Sequence, residues 1–184
     1  MKERKSIESV LAGCRKNDRS AQHSLYEMFA SNMLGICRRY ASSEEEAEDI
    51  MIEGFLKVFQ KLDQYKGDDE RSLFTWIKTI MVNQSIDHFR MYRKIYEHEV
   101  VTDTSVMTDY TEEIVTRLDA DHIMQMMEEM PEKQRVIFNL KEVEGYGFDE
   151  VAEMLQESVN TVRVYFFRAR KWLQKRIKEE EKRF

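Results

Sequence analysis

Arg163, Phe167, Arg168 and Lys171 share one side of a segment whose other side is apolar, with Val162, Phe166, Ala169 and Leu173 recurring every three or four residues. Guanidinium and ammonium groups in such a row make charge-assisted hydrogen bonds to phosphate oxygens, and arginine also reads base edges. The elements that hold them lie just upstream. Phe148 to Leu155 reads as a short helix, with Val151, Ala152 and Leu155 placed to pack. Gln156 and Glu157 form a turn, and Ser158 is an N-cap able to accept the amide of Thr161. Two short helices, a tight turn and a basic outer face are the parts of a helix-turn-helix, whose second helix lies in the DNA major groove. An ordinary helical hairpin with a solvated cationic side shares this pattern, so the pattern alone leaves both open.

A second group of chemistry-bearing residues is acidic. Glu44, Glu45, Glu46, Glu48, Asp49 and Glu53 crowd the first half of the helical stretch EEEAEDIMIEGFLKVFQKL. Carboxylates at a helix start are favoured by the macrodipole, and the same residues suit a face that docks a basic partner. As metal ligands they lack the Glu-x-x-His pairs of helical di-iron sites; only Asp119 and His122 approach that spacing. No metal and no cofactor is expected.

A third group mixes aromatics and bases. LFTWIKTIMVNQSIDHFRMYRK forms a long helix with Phe74, Ile77, Ile80, Met81 and Ile86 facing inward and Arg90, Arg93 and Lys94 at its end. Trp76, His88, Phe89, Tyr92 and Tyr96 are interleaved with these bases, a composition that stacks on unpaired nucleotides. Trp76 sits in the apolar repeat and is expected in the core.

The chain of 184 residues has room for one or two domains. It is 42% hydrophobic and 35% charged with a single proline, which fits a mostly helical chain with real cores. No apolar run approaches the roughly 18 residues of a membrane span, and MKERKSIESV lacks a signal-peptide core, so a cytoplasmic protein is expected. Cys14 and Cys37 form no CxxC pair and read as free thiols. The net charge of -6 is unevenly spread: residues 158–184 hold nine Lys/Arg against three Glu, whereas residues 97–119 hold seven Asp/Glu against Arg117 alone. A basic end set off by an acidic strip suits one cationic face aimed at phosphates, and equally a basic tail.

In chain order, Ile7 to Ala12 reads as a short helix closed by Gly13, and Asp18 caps the next, with Leu25, Phe29, Met33, Ile36 and Tyr40 as its buried stripe. Met28, Met33 and Met51 read as core fillers. Ser42 and Ser43 with Glu45 and Glu46 make overlapping capping boxes for the acidic helix, which offers Ala47, Ile50, Phe55, Val58, Phe59 and Leu62 for burial. YKGDDERS is a loop. Beyond Tyr96 the periodicity fades into an acidic, Thr-rich linker before helical pattern resumes at Ile114; Pro131 then starts a further helix that runs to Gly145. The fold expected is all-α: two small helical domains, residues 1–95 and 113–184, joined by a flexible acidic linker, residues 96–112.

In this order the motifs resemble the bacterial RNA polymerase sigma factors of the small, two-domain extracytoplasmic-function group, over nearly the whole chain. EAEDIMIEGFLKVFQKLDQYKG is similar to their region two signature, TWIKTIMVNQSIDHFR to the promoter-melting helix, and MPEKQRVIFNLKEVEGYGFDEVAEML with TVRVYFFRARKWLQK to region four. The resemblance implies a non-enzymatic protein that lends promoter specificity to core polymerase. It implies that Asp49, Glu53, Phe55 and Lys57 bind the clamp helices of the largest subunit, and that the first helices of region four hold the flap. It implies -10 recognition by Tyr65, Lys66, Asn83, Asp87, Arg90 and Arg93, with a flipped base captured near the Tyr65–Phe74 loop. It implies -35 recognition of duplex by Ser158, Thr161, Arg163, Val164, Phe167, Arg168 and Lys171. An anti-sigma factor is a further implied partner. Departures from the family pattern are Gln156 for a turn glycine, Glu157 for an apolar residue, Asn160 for a glycine, Val164 for a serine and Gly147 for a serine cap. A left-handed Gln costs roughly 1 kcal/mol, which predicts a turn of different shape. The competing classes are a stand-alone, ligand-sensing regulator and a helical metalloenzyme.

Overall fold

A computed structural model describes residues 6–67, 69–96 and 120–182, with side chains described except at 92–96, 120 and 121. Eight α-helices and no strand occur among the described residues: α1 (Ile7–Arg15), α2 (Arg19–Arg38), α3 (Glu44–Lys61), α4 (Glu70–Tyr96), α5 (Ala120–Glu128), α6 (Glu132–Phe138), α7 (Phe148–Leu155) and α8 (Val159–Glu181). A short 3₁₀ turn, Leu62–Gln64, follows α3, and α6 unwinds into a π turn, Asn139–Val143. Contacts divide the chain into two units, Met1–Phe89 and Arg90–Phe184. The expected linker lies outside the described residues, apart from Tyr96, which closes α4.

In the first unit the helix starts follow side-chain caps. Ser6 Oγ accepts the Ser9 amide at 3.3 Å, Asp18 Oδ1 that of Ser20 at 3.0 Å, and Ser43 Oγ that of Glu46 at 3.2 Å. Glu46 Oε2 accepts the Ser42 amide at 2.7 Å, one residue before the N-cap, so the expected overlapping boxes are replaced by a Ser43 cap with Glu46 reaching back past it. Asp69 Oδ1 accepts the Ser72 amide at 2.8 Å and starts α4 three residues before the apolar run begins.

One boundary differs from expectation. Gly13 does not end α1, which runs on to Arg15; the left-handed residue is Asn17, with φ 58°. Gly13 is there for space, since a Cβ would stand 2.6 Å from that of Ala21 on α2. The same device brings α3 against α4, where a Cβ on Gly54 would run into Met81 Sδ. Leu25, Met33, Tyr40, Ile50, Val58, Leu73, Ile77 and Met81 fill the core between α2, α3 and α4. Met28 is only half-buried, unlike Met33 and Met51.

In the second unit, Val136, Ile137, Leu140, Val151, Leu155, Val162, Phe166, Ala169 and Leu173 form the core. Arg135 is buried within it and donates to the carbonyls of Glu128 at 2.9 Å and Met130 at 3.4 Å, satisfying acceptors left over at the end of α5. The helix begun after Pro131 does not run unbroken to Gly145: its last turn widens before Gly145 takes φ +84°.

Candidate nucleic-acid interface

The joint between α7 and α8 fixes everything α8 presents. Gln156 adopts the left-handed region, φ 56° and ψ 43°, so the turn keeps the shape that a glycine gives and the expectation of a different one is corrected. The Gln156 amide reaches Glu153 O at 3.2 Å and the Glu157 amide reaches Ala152 O at 2.9 Å, the paired bonds of a Schellman turn. Glu157 is tied down as well, by Lys133 Nζ at 3.1 Å, with both side chains nearly buried. Lys133 also lies over the Tyr165 ring at 4.4 Å. These contacts offset the strain of a left-handed Gln, roughly 1 kcal/mol. Gly147 caps α7 through its amide, which donates to Glu150 Oε2 at 2.6 Å.

From that turn α8 starts on Ser158, whose Oγ accepts the Thr161 amide at 3.0 Å and lies 2.8 Å from Thr161 Oγ1. Val162, Phe166, Ala169 and Leu173 are buried as the spacing predicts, and Arg163 and Lys171 are exposed. Thr161, Val164, Phe167 and Arg168 are partly exposed beside them. The two arginines are not loose: Arg163 lies over the Phe148 ring at 5.5 Å and Arg168 over that of Tyr165 at 5.6 Å. Phe167 meets Phe166 edge-on at 5.7 Å.

A second surface runs along α4. Asp69, Arg71, Ser72, Thr75, Trp76 and Thr79 line an open concavity of about 490 Å³. Asn83 and Asp87 are exposed and continue the row at helical spacing, and Asp87 pairs with Lys57 of α3 at 3.1 Å. The backbone amide of Ser72 holds the Asp69 carboxyl below the usual range. Two expectations are corrected here. Tyr65 is 6% exposed, and its hydroxyl, 2.6 Å from Ser72 Oγ and 3.2 Å from Asp69 O, supports the concavity from behind. Its ring lies 5.3 Å from that of Trp76, which lines the concavity instead of filling the core. Thr75 and Thr79 escaped the sequence reading, although Arg71, Thr75, Thr79, Asn83 and Asp87 stand four residues apart. Phe89 is buried and unavailable for stacking, and His88 Nδ1 lies 3.0 Å from Glu46 Oε1. Lys66 is exposed and Arg90 half-buried; Arg93 belongs to α4, but its side chain, like those of Tyr92, Lys94 and Tyr96, is outside the described residues.

The acidic helix α3 presents Asp49, Ile52, Glu53 and Leu56 on one side, with Ile52 51% and Leu56 56% exposed. Phe55, expected on that surface, is 3% exposed and packs on Tyr26 at 4.8 Å, so it belongs to the core. Glu44 is held by Arg38, and Glu53 accepts from buried Gln84. No cluster of potential metal ligands occurs among the described residues, and Asp119 lies outside them.

The family patterns described as Sigma-70 region 2 and Sigma-70 region 4 match residues 25–95 and 121–173, in that order. The ECF RNA polymerase sigma factor SigW of Bacillus subtilis is 27% identical over 184 residues, covering 94% of this chain and 97% of that protein. The chain belongs to the extracytoplasmic-function group of the sigma-70 family. The RNA polymerase sigma-H factor of Pseudomonas aeruginosa is 25% identical over 174 residues, with 89% of each chain covered. A solved structure, CnrH in complex with the cytosolic domain of CnrY, aligns with a TM-score of 0.46 at 19% identity, over 92% of this chain and 96% of that one. In this sigma factor the region 2 match takes in α2 from Leu25 on, α3 and almost all of α4, with the concavity; the region 4 match takes in nearly all of α5, then α6, α7 and α8 as far as Leu173.

Proposed function

We propose that this sigma factor binds core RNA polymerase in the cytoplasm and directs it to promoters through two DNA-reading surfaces, without catalysing a reaction itself. The carrying observation is that one chain combines a capped, basic recognition helix with a separate polar and aromatic concavity. The face of α8 with Arg163, Phe167, Arg168 and Lys171 is shaped for duplex at the -35 element, where side chains reach base edges and phosphates. The concavity on α4, with Asn83 beside it, suits an unpaired base of the -10 element: Trp76 offers a ring and Thr75, Thr79 and Asn83 offer polar groups. Binding splayed bases offsets the few kcal/mol that unstacking costs, so no nucleotide hydrolysis is needed.

The exposed pair Ile52 and Leu56, framed by Asp49 and Glu53, is the surface we assign to the polymerase clamp helices. An apolar centre inside an acidic rim fits a partner with an apolar patch among basic residues. An anti-sigma factor that silences this protein would cover the same face. Purified chain mixed with bacterial core polymerase should co-elute as one complex. A chain that binds duplex DNA tightly alone and does not co-elute would be a stand-alone regulator.

A further inference from the structure

Phe148, the first residue of α7, receives two cations from two different segments. Arg163 Cζ of α8 stands 5.5 Å from its ring centroid, and Lys141 Nζ of the π turn stands 5.3 Å from it. The ring is itself fixed, meeting buried Phe166 edge-on at 5.3 Å. Arg163 is exposed and Lys141 half-exposed, so neither is held by burial. A cation–π contact occupies no hydrogen-bond acceptor, so N–H donors of both cations stay available to a phosphate. A free Lys or Arg side chain loses rotamer entropy when it is fixed, and a ring that restricts it beforehand lowers that loss on binding. Two cations held at one ring raise the local positive potential, which favours a phosphate beside them.

We infer that Lys141 is a further DNA-phosphate contact, working with Arg163, and that Phe148 is the positioning residue that holds both. The inference rests on the reading of α8 as the duplex-binding helix and extends the contact surface upstream of the helix-turn-helix. Because the contact goes to phosphate, it orients the helix in the groove without reading sequence.

The test uses the full chain and a short random-sequence duplex, with affinity followed by fluorescence anisotropy over a salt series. Lys141→Ala and Arg163→Ala should each flatten the slope of log K against log salt by about 1. Phe148→Leu should weaken binding about two- to fivefold at fixed salt, the range of an exposed cation–π contact. It should add nothing once Lys141 and Arg163 are both alanine, and Phe148→Tyr should bind like the unaltered chain. Where Phe148→Leu lowers the melting temperature, the Tyr variant and the Lys141 slope carry the test alone. An unchanged slope in Lys141→Ala overturns the inference, as does a Tyr variant as weak as the Leu variant. Failure of the unaltered chain to bind any duplex, alone or with core polymerase, overturns the DNA-binding reading itself.

Discussion

Lys133 on α6 and Glu157 in the turn before α8 pair at 3.1 Å, with side chains only 10% and 15% exposed. The pair joins α6 to the turn from which α8 starts, and Lys133 extends the tie to Tyr165 at 4.4 Å. Removing one partner of a buried pair leaves the other charge poorly compensated, at about 3–5 kcal/mol, while replacing both with apolar residues is often close to neutral. Glu157→Gln should therefore lower the stability of this unit by roughly 3 kcal/mol, and Lys133→Met with Glu157→Leu should recover most of it. Urea denaturation checks both. Equal losses in the single and double variants would show that the pair itself is not what holds the turn.

The face of α3 separates packing from docking. Phe55→Ala should destabilise the first unit by about 3–5 kcal/mol, because it empties a core position. Ile52→Ser with Leu56→Ser should leave the melting temperature nearly unchanged and abolish co-elution with core polymerase. Co-elution retained in that double variant would remove α3 from the docking surface.

Asn83 is exposed on the same side of α4 as the concavity. Asn83→Ala should preserve binding to duplex promoter DNA and lose open-complex formation, read as permanganate reactivity of unpaired thymines. Melting at the normal level would exclude base capture by Asn83.

Burial pushes the Cys37 thiol up to about 12, so it stays neutral in the folded chain well past the pH at which an exposed thiol ionises. A group whose folded pKa is raised contributes stability that is complete below its unfolded value and is lost as pH rises towards the folded one. The window here runs from about 9, the ordinary thiol value, to about 12. The urea midpoint should fall across that window, and Cys37→Ala should fall less steeply than the unaltered chain. Identical slopes would show that Cys37 does not titrate on unfolding.

What the sequence made legible was local. Ser43, Asp18 and Ser158 cap the helices their spacing predicts, and the stripes Leu25–Tyr40 and Val162–Leu173 are the buried ones. The family and its two helical regions followed from the order of three motifs. What stayed hidden depends on partners distant in the chain. Ile50, Met51, Ile52, Phe55, Leu56 and Val58 spread apolar residues around much of α3, so spacing offered Phe55 for burial while the resemblance gave it to the polymerase, and only packing decides that it goes in and Leu56 stays out. Trp76 follows the apolar repeat yet lines a concavity, because Tyr65 occupies the space behind it. Gln156 defies its own backbone preference because Glu157 is anchored on a helix more than twenty residues earlier. Gly13 looked like a stop and is a clearance for Ala21.

Run-off transcription with purified bacterial core polymerase on fragmented genomic DNA, with and without this chain, bears most directly on promoter selection. Discrete start sites should appear only when the chain is present, and their alignment should show two conserved elements upstream. Transcription indistinguishable with and without the chain, from a polymerase shown to bind it, would contradict the account.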